Sequence, residues 1–170
     1  HDPNKLYTTS NYFHVTTNEG QSWKVISPDL TRNESEKLGP SGGPITKDNT
    51  EVEYYATIFA ACESRYEKDL LWAASDDGLM HFSKNGGNNW EDATPSNAPT
   101  HIMWNSVEPD PFTKGGLYAA GTLYKTGDYR PYLYKTKDYG KTWTKITNGI
   151  PNNFFTRVLR ADPNRQGLLY

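Results

Sequence analysis

Six carboxylate side chains on predicted loops are candidates for acid–base chemistry: Asp29, Asp48, Glu53, Asp76, Asp77 and Asp128. Two carboxylates that flank a glycosidic bond, roughly 5 to 10 Å apart, can hydrolyse it. The spacing of these residues along the chain does not select one pair. Asp76, Asp77, Asp29 and Glu53 are therefore candidate catalytic residues for a hydrolase, which is the alternative to ligand binding without catalysis.

Other loop residues are suited to binding. Tyr129 and Arg130 follow Asp128 in a loop that is longer than its counterparts in the rest of the chain, and Arg32 lies in the long segment 29–52. Exposed Tyr and Arg side chains are typical of carbohydrate or peptide contacts. The predicted ligand-binding residues are Asp29, Arg32, Asp48, Asp76, Asp77, Asp128, Tyr129 and Arg130.

Several other chemistries lack support in the sequence. The four histidines share no ligand spacing, and a single cysteine, Cys62, excludes an internal disulfide and a cysteine zinc site. Neither a cofactor nor a metal is therefore expected. The net charge of −2 and the absence of a basic run argue against a nucleic-acid partner. The apolar runs are far shorter than the ~20 residues of a membrane helix, so no membrane insertion is expected.

The chain repeats one eight-residue pattern three times, over residues 16–23, 83–90 and 136–143. These octets hold the same residue types at the same offsets: Thr16, Asn18, Gly20 and Trp23; Ser83, Asn85, Gly87 and Trp90; and Thr136, Asp138, Gly140 and Trp143. Asn and Asp bond nearby amides and Gly permits positive φ, so the middle of each octet is predicted to be a tight turn. The hydroxyl residue and the Trp then belong to the two strands of a hairpin.

A second recurring piece places these hairpins in larger units. Upstream of the octets, and once more near residue 162, a turn signal precedes a Leu-aromatic pair, as in Asp110-Pro111 before Leu117-Tyr118. Each unit then contains four predicted strands, which we call A, B, C and D, with the octet between C and D. Strand A is predicted over 54–61, 102–107 and 155–160. High aromatic content, 14 Gly and 11 Pro agree with an all-β chain.

Units of this kind predict an all-β fold, a β-propeller of four-stranded antiparallel blades. The chain is expected to form an incomplete wedge of about three to four blades, because a closed ring needs at least four. The predicted division is a partial blade of strands B, C and D at 1–28, a long inter-blade loop at 29–52, complete blades at 53–97 and 98–148, and strands A and B of a further blade at 149–170.

The octets resemble the Asp-box, or BNR repeat, which occurs in sialidases, in two-propeller xyloglucan-degrading enzymes and in the sortilin (Vps10) family. The stretches 26–32, 41–48 and 72–78 look most similar to sortilin-like propellers of large secreted bacterial proteins, often labelled BNR-repeat glycosyl hydrolases. The resemblance implies a secreted or cell-envelope bacterial protein. It also implies that the octets are structural and lie opposite the usual active site.

In such blades the D-to-A and B-to-C connections share one face, where the longer loops of this chain are expected. Long loops on a rigid scaffold commonly carry function. The leading hypothesis is a propeller section that binds polypeptide or glycan on this face without independent catalysis, with the remaining blades of the same propeller as its partners. The alternative is a fragment of a BNR-class glycoside hydrolase that uses two carboxylates there.

Overall fold

The computed structural model describes residues 2–47 and 55–170, so two of the candidate carboxylates, Asp48 and Glu53, lie outside the described residues. Two short 3-10 helices, Ser35–Lys37 and Tyr124–Thr126, accompany eleven strands in the described part of the chain. The strands are β1 (Leu6–Thr9), β2 (Phe13–Thr16), β3 (Lys24–Val25), β4 (Ile58–Glu63), β5 (Leu71–Ser75), β6 (Met80–Ser83), β7 (Glu91–Asp92), β8 (Met103–Pro109), β9 (Leu117–Leu123), β10 (Asp128–Thr136) and β11 (Thr144–Lys145).

The strands form three antiparallel sheets in which sequence neighbours are hydrogen-bonded. The first blade is β1-β2-β3, the second is β4-β5-β6-β7 and the third is β8-β9-β10-β11. In the last segment, Ala161 and Leu169 form one antiparallel bridge, and Arg160 and Tyr170 exchange both backbone hydrogen bonds. This arrangement confirms the predicted all-β class and the incomplete β-propeller of four-stranded antiparallel blades.

The A strands differ in detail from the sequence-based expectation. β4 begins at Ile58 because Ala56 has a φ of 61°, which an extended strand cannot accommodate. β4 and β8 each contain an irregularity in register near their start. The segment 155–160 is predicted as a strand from the sequence. It pairs only at its end, where Arg160 bonds to Tyr170 next to the Ala161–Leu169 bridge.

The octets are tight hairpin turns with one hydrogen-bond pattern. In the third octet, Thr136 Oγ1 accepts the backbone N–H of Gly140 at 3.0 Å, and Asp138 Oδ1 accepts the N–H of Thr142 at 2.9 Å. The glycine has a φ of 78°, which its lack of a Cβ makes accessible. In the first two octets, the glycine N–H likewise donates to the hydroxyl oxygen four residues earlier, at 3.1 and 2.9 Å.

The same octets also join neighbouring blades. Trp90 Nε1 donates to the backbone oxygen of Ile26 at 2.8 Å, and Trp143 Nε1 donates to the backbone oxygen of Ala93 at 2.9 Å. Both acceptors come directly after strand D of the preceding blade. Trp23, in the octet of the first blade, is 44% exposed. Trp90 and Trp143 therefore act between blades as well as within one.

Apolar packing between the blades completes the core. One buried cluster joins the second and third blades, and its members include Trp72, Met80, Ile102, Trp104, Leu117 and Tyr134. A second cluster joins the first blade to the second through Phe13, Leu30, Ile58 and Leu71. Each fully buried large side chain contributes about 1.5–3 kcal/mol relative to exposure. Because the core lies between sheets, each blade depends on its neighbour.

Replacement of Gly140 by Ala tests the contact between the third octet and the second blade. A Cβ at Gly140 would lie 2.5 Å from the Cβ of Ala93, in addition to the positive φ. We expect Gly140→Ala to destabilise the protein by about 1–3 kcal/mol more than Gly149→Ala, because overpacking adds to the backbone cost. Gly149 is the matched control, since it has a φ of 85° and a Cβ added there would have no atom within 4 Å. Equal losses in urea unfolding would contradict the close approach.

Candidate functional site

The D-to-A and B-to-C connections meet at the end of the sheets opposite the octets, and we call this end the loop-rich face. It is built from the turns between β1 and β2, between β5 and β6 and between β9 and β10, and from the segments after β3, β7 and β11. Because each strand reverses direction, all six connections emerge at the same end. We call residues 29–38, which cross from the first blade towards the second and third, the strap.

Arg32 fastens the strap to the blades. Its backbone N–H donates to Asp77 Oδ2 at 2.7 Å, and its Nε donates to the backbone oxygen of Asp77 at 2.8 Å. Its Nη2 reaches the backbone oxygen of Thr100 at 3.1 Å. One side chain therefore ties the strap to the B-to-C turn of the second blade and to the segment that leads into the third blade.

That B-to-C turn is itself closely packed. Asp77 is buried, and Ser75 Oγ donates to its Oδ1. Trp104 Nε1 in the third blade donates to the backbone oxygen of Gly78 at 3.1 Å. A Cβ at Gly78 would collide with the backbone oxygen of Thr100, so only glycine fits between these blades. Asp77 is thus a structural residue of the turn, and its carboxylate faces protein donors.

Two clefts lie side by side on the loop-rich face and share Tyr55. The first has a volume of about 330 Å³, and its lining includes Ser10, Asn11, Asp29, Thr31, Leu38, Tyr55 and Thr57. The second has a volume of about 300 Å³ and is lined by Tyr55, Asp76, His101, Met103, Thr122, Leu123, Lys125 and Thr126. Both are mainly apolar with a few polar groups, which is the usual composition of ligand sites.

Asp76 is the described carboxylate of the second cleft, and its environment favours the protonated form. Burial raises the pKa of Asp76, hydrogen bonds from Thr57 oppose the rise, and the nearby charge of Asp77 adds to it. The N–H of Thr57 donates to Asp76 Oδ1 at 2.9 Å. Burial, followed by the charges of Asp77 and Asp76, raises the pKa of Tyr55 to about 12, so its hydroxyl stays protonated at neutral pH.

Asp29 is the described carboxylate of the first cleft, and it is engaged in local hydrogen bonds. Its Oδ1 accepts the N–H and the hydroxyl of Thr31, at 2.9 and 2.7 Å, and its Oδ2 accepts Asn11 Nδ2 at 2.9 Å. This arrangement is an Asx-type turn that shapes the start of the strap. Among the described residues, neither cleft is lined by two carboxylates.

A charged group links the strap to the edge of the second cleft. Lys37 Nζ donates to Glu34 Oε2 and lies 2.8 Å from His101 Nε2, which is 3.2 Å from the same Glu34 oxygen. The Lys37 bond is the main reason that the pKa of Glu34 is lowered; burial opposes the change, and the bond from His101 adds to it. These are exposed contacts, so they orient the strap more than they stabilise the fold.

Asp128 and Arg130 form a pair that lines neither cleft. Arg130 Nη2 lies 2.6 Å from Asp128 Oδ2, and the hydroxyl of Tyr132 donates to the same oxygen at 2.7 Å. The Arg130 bond is the main reason that the pKa of Asp128 lies well below its usual range. Tyr129, between the pair, is 52% exposed. Of the predicted ligand residues, the structure thus brings Asp29, Arg32, Asp76 and Asp77 to the strap and clefts. The other described three, Asp128, Tyr129 and Arg130, begin strand β10 and do not lie in the predicted loop, because Asp128 pairs with Leu123 of β9.

Sequence reasoning misses the residue at the centre of the site. The sequence predicts Tyr55 inside a strand, whereas it precedes β4 and lines both clefts. His101 and Met103 likewise carry no site role in the sequence-based interpretation. The internal repeat could have identified these residues. When β4 and β8 are aligned by their pairing with the next strand, Tyr55 and His101 occupy equivalent positions in their blades.

Within residues 2–47 and 55–170, no group of three His, Cys, Asp or Glu side chains is arranged to hold a metal ion. No helix in the same ranges is long and apolar enough to cross a membrane.

No protein-family model and no curated protein sequence matches the chain. Among solved structures, the chain is similar to an ancestral GH74 enzyme, with 15% identity, a TM-score of 0.52, and coverage of 94% of this chain and 26% of the enzyme. It is also similar to the GH74 enzyme of Niastella koreensis, with 16% identity, a TM-score of 0.44 and coverage of 98% and 27%.

A third similar structure is YCF48 from Cyanidioschyzon merolae, with 17% identity, a TM-score of 0.44, and coverage of 61% of this chain and 27% of that protein. The chain spans about a quarter of the length of these solved proteins. Similarity at such identity shows the propeller fold alone.

The pH dependence of stability tests the environment of Asp76. Its folded-state pKa is raised above the unfolded value of about 4, so its contribution is fully present below pH 4 and is lost as pH rises through the folded pKa. We expect Asp76→Asn to remove that loss. The free energy of unfolding of the variant, measured in urea, should therefore increase relative to the wild type between pH 4 and 7.

Asp138→Asn is the matched control of opposite sign. Burial opposes the change, but hydrogen bonds from Thr142 and Thr136 outweigh it and lower the pKa of Asp138, so its contribution is lost as pH falls. Asn already occupies this position in the first two octets. A stability difference for Asp76→Asn that does not change with pH, or changes as it does for Asp138→Asn, would contradict the assignment.

Proposed function

We propose that the protein is a secreted or cell-envelope Asp-box propeller that binds a glycan or a polypeptide on its loop-rich face without independent catalysis. One observation carries the proposal. Two apolar clefts adjoin at Tyr55, and each has a single described carboxylate that is already hydrogen-bonded to neighbouring backbone and side-chain groups. Such clefts can hold a ligand by shape and a few polar contacts.

The clefts are suited to an extended ligand. Each has room for only a few sugar rings or amino-acid side chains, and Tyr55 lines both of them. Tyrosine offers a rigid apolar ring with a polar end, which is favourable in binding sites. A linear polymer that occupies both clefts gains from two sites at once.

The second candidate function is glycoside hydrolysis, and Asp76 is the observation in its favour. A carboxyl group with a raised pKa in an apolar cleft resembles a general acid. Hydrolysis also requires a second carboxylate across the bond. The fold is that of GH74 enzymes as well, which is compatible with either function.

Binding assays on the intact protein test the leading proposal. Arrays of plant and host glycans and of unfolded peptides serve as probes. We expect Tyr55→Ala to weaken binding of any retained probe by about tenfold, because it removes the wall that both clefts share. Tyr66→Ala is the control, since Tyr66 is 54% exposed in an A-to-B loop at the octet end. An equal effect of the two variants, or no retained probe, would refute binding at the clefts.

Product analysis on the retained glycans separates binding from hydrolysis. The proposal predicts no release of reducing ends by the wild type. Turnover by the wild type that falls at least about a hundredfold in Asp76→Asn would instead establish the hydrolase.

The exposed octet of the first blade supports the proposal that further blades are partners. Trp90 and Trp143 each bond a backbone oxygen of the preceding blade, whereas Trp23 is 44% exposed and Gly20 has only Trp23 itself near its Cβ position. By analogy with these two bonds, we expect the Trp23 indole N–H to donate to a backbone oxygen at the end of strand D of a further blade.

Fluorescence quenching on single-Trp variants of the intact protein tests this partner. With phenylalanine at the other four tryptophans, Trp23 is expected to be as protected from iodide as Trp143 in the matching variant. The 170-residue chain should show greater quenching at Trp23 than at Trp143. Equal, strong quenching of Trp23 in both forms would contradict a covering blade.

A further inference from the structure

Three aromatic rings form a cluster beside the second cleft. Tyr124 and Phe155 are stacked, with ring centroids 5.1 Å apart and planes inclined by 25°. Tyr129 lies 6.2 Å from Phe155 on a tilted plane. We call these three residues the aromatic platform. Tyr129 and Phe155 are 52% and 39% exposed, so the platform presents ring surface to solvent.

The platform belongs to the loop-rich face. Tyr124 begins the 3-10 turn that follows β9, and Lys125 and Thr126 of the same turn line the second cleft. The turn therefore separates the cleft from the platform. Phe155 precedes Asp162 by the same interval as Met103, a wall of the second cleft, precedes Asp110. The internal repeat thus places Phe155 where a cleft wall is expected.

The fold itself does not require the extended connection between β9 and β10 that carries Tyr124 and Tyr129. In the second blade, the B-to-C connection is a tight turn from Ser75 to Met80, closed by the hydrogen bond of Ser75 N–H to the Leu79 backbone oxygen. The third blade adds the 3-10 turn and a register shift between Asp128 and Tyr132. Irregularities of this kind re-aim side chains, and here the shifted residues include Tyr129.

The cations around the platform differ in whether they have an ion-pair partner. Arg130 is paired with Asp128, but among the described residues neither Arg157 nor Lys125 forms an ion pair. The guanidinium carbon of Arg157 lies 5.7 Å from the centre of the Tyr124 ring, which holds the cation beside the platform. In the described part of the chain, two cations without an ion-pair partner therefore lie beside the platform and in the adjoining cleft, a combination that complements a ligand with apolar faces and carboxylates.

We propose that the aromatic platform is a binding subsite for a carboxylated sugar polymer, a polyuronate, whose chain continues into the second cleft. This inference rests on the proposed binding function and names its ligand class. The apolar face of one pyranose ring stacks on Tyr129 and Phe155, and its carboxylate pairs with Arg157. The next units cross the 3-10 turn, where Lys125 meets a second carboxylate. Ring stacking supplies the affinity, and the two cations select the charged sugar over a neutral one.

Isothermal titration of the intact protein with three defined probes tests the proposal. The probes are tetragalacturonate, cellotetraose and tetraglutamate, which separate the acidic glycan from a neutral glycan and an acidic peptide. We expect tetragalacturonate to bind at least about tenfold more tightly than either other probe at low salt, and to weaken as salt is added.

Two exposed substitutions locate the site without disturbing the core. Tyr129→Ala and Arg157→Gln are each expected to weaken tetragalacturonate binding by about tenfold, because one removes a stacking ring and the other a charge-assisted hydrogen bond. Lys141→Gln is the matched control, since it removes an exposed cation in the third octet at the opposite end of β10. It should leave binding unchanged. Unfolding temperatures confirm that each variant is folded.

The outcomes distinguish a failure of this inference from a failure of the proposed binding function on which it rests. Tighter binding of cellotetraose or tetraglutamate than of tetragalacturonate would overturn the polyuronate assignment and leave binding at the clefts intact. Equal loss in Arg157→Gln and Lys141→Gln would overturn the location. Failure of all three probes together with the glycan and peptide arrays would overturn the proposed function itself.

Discussion

The structure depends on one repeated contact, the hydrogen bond from an octet indole to the backbone oxygen that ends the preceding blade. It occurs at 2.8 Å between Trp90 and Ile26 and at 2.9 Å between Trp143 and Ala93. The glycine three residues before each of these indoles leaves no room for a side chain against Ile26 or Ala93, so the blades approach closely there. A single such bond contributes only about 0.5–1.5 kcal/mol, but it fixes the register of one sheet against the next. The apolar clusters between blades are then packed in one arrangement.

This spacing of blades determines the loop-rich face. Arg32 reaches both Asp77 and Thr100 only because the second and third blades are held at a fixed separation. Trp104 repeats the indole-to-carbonyl contact at this end, on Gly78. Backbone polar groups of the turn are thereby satisfied, and the clefts on either side of Tyr55 remain as the open space. Binding chemistry thus occupies the gaps that regular blade packing leaves between loops.

The propeller could be predicted from the sequence because its determinants are local. Hydroxyl, Asn or Asp, Gly and Trp at fixed offsets specify a hairpin, and three copies specify repeated sheets. The candidate site could be predicted only in part. Asp76 and Asp29 are recognisable as polar loop residues, but the partner of Asp77 is 45 positions away and the positive φ of Ala56 has no sequence signature. Tyr55 and Phe155 look like ordinary strand residues in sequence, since their exposure depends on contacts between blades.

Hydrogen exchange at the indole N–H groups, followed by NMR on the 170-residue chain, tests the central contact most directly. The account predicts that Trp90 and Trp143 exchange slowly, at rates set by unfolding, while the exposed Trp23 exchanges much faster. Exchange of Trp90 and Trp143 as fast as that of Trp23, under conditions where backbone amides of β5 and β9 remain protected, would contradict it.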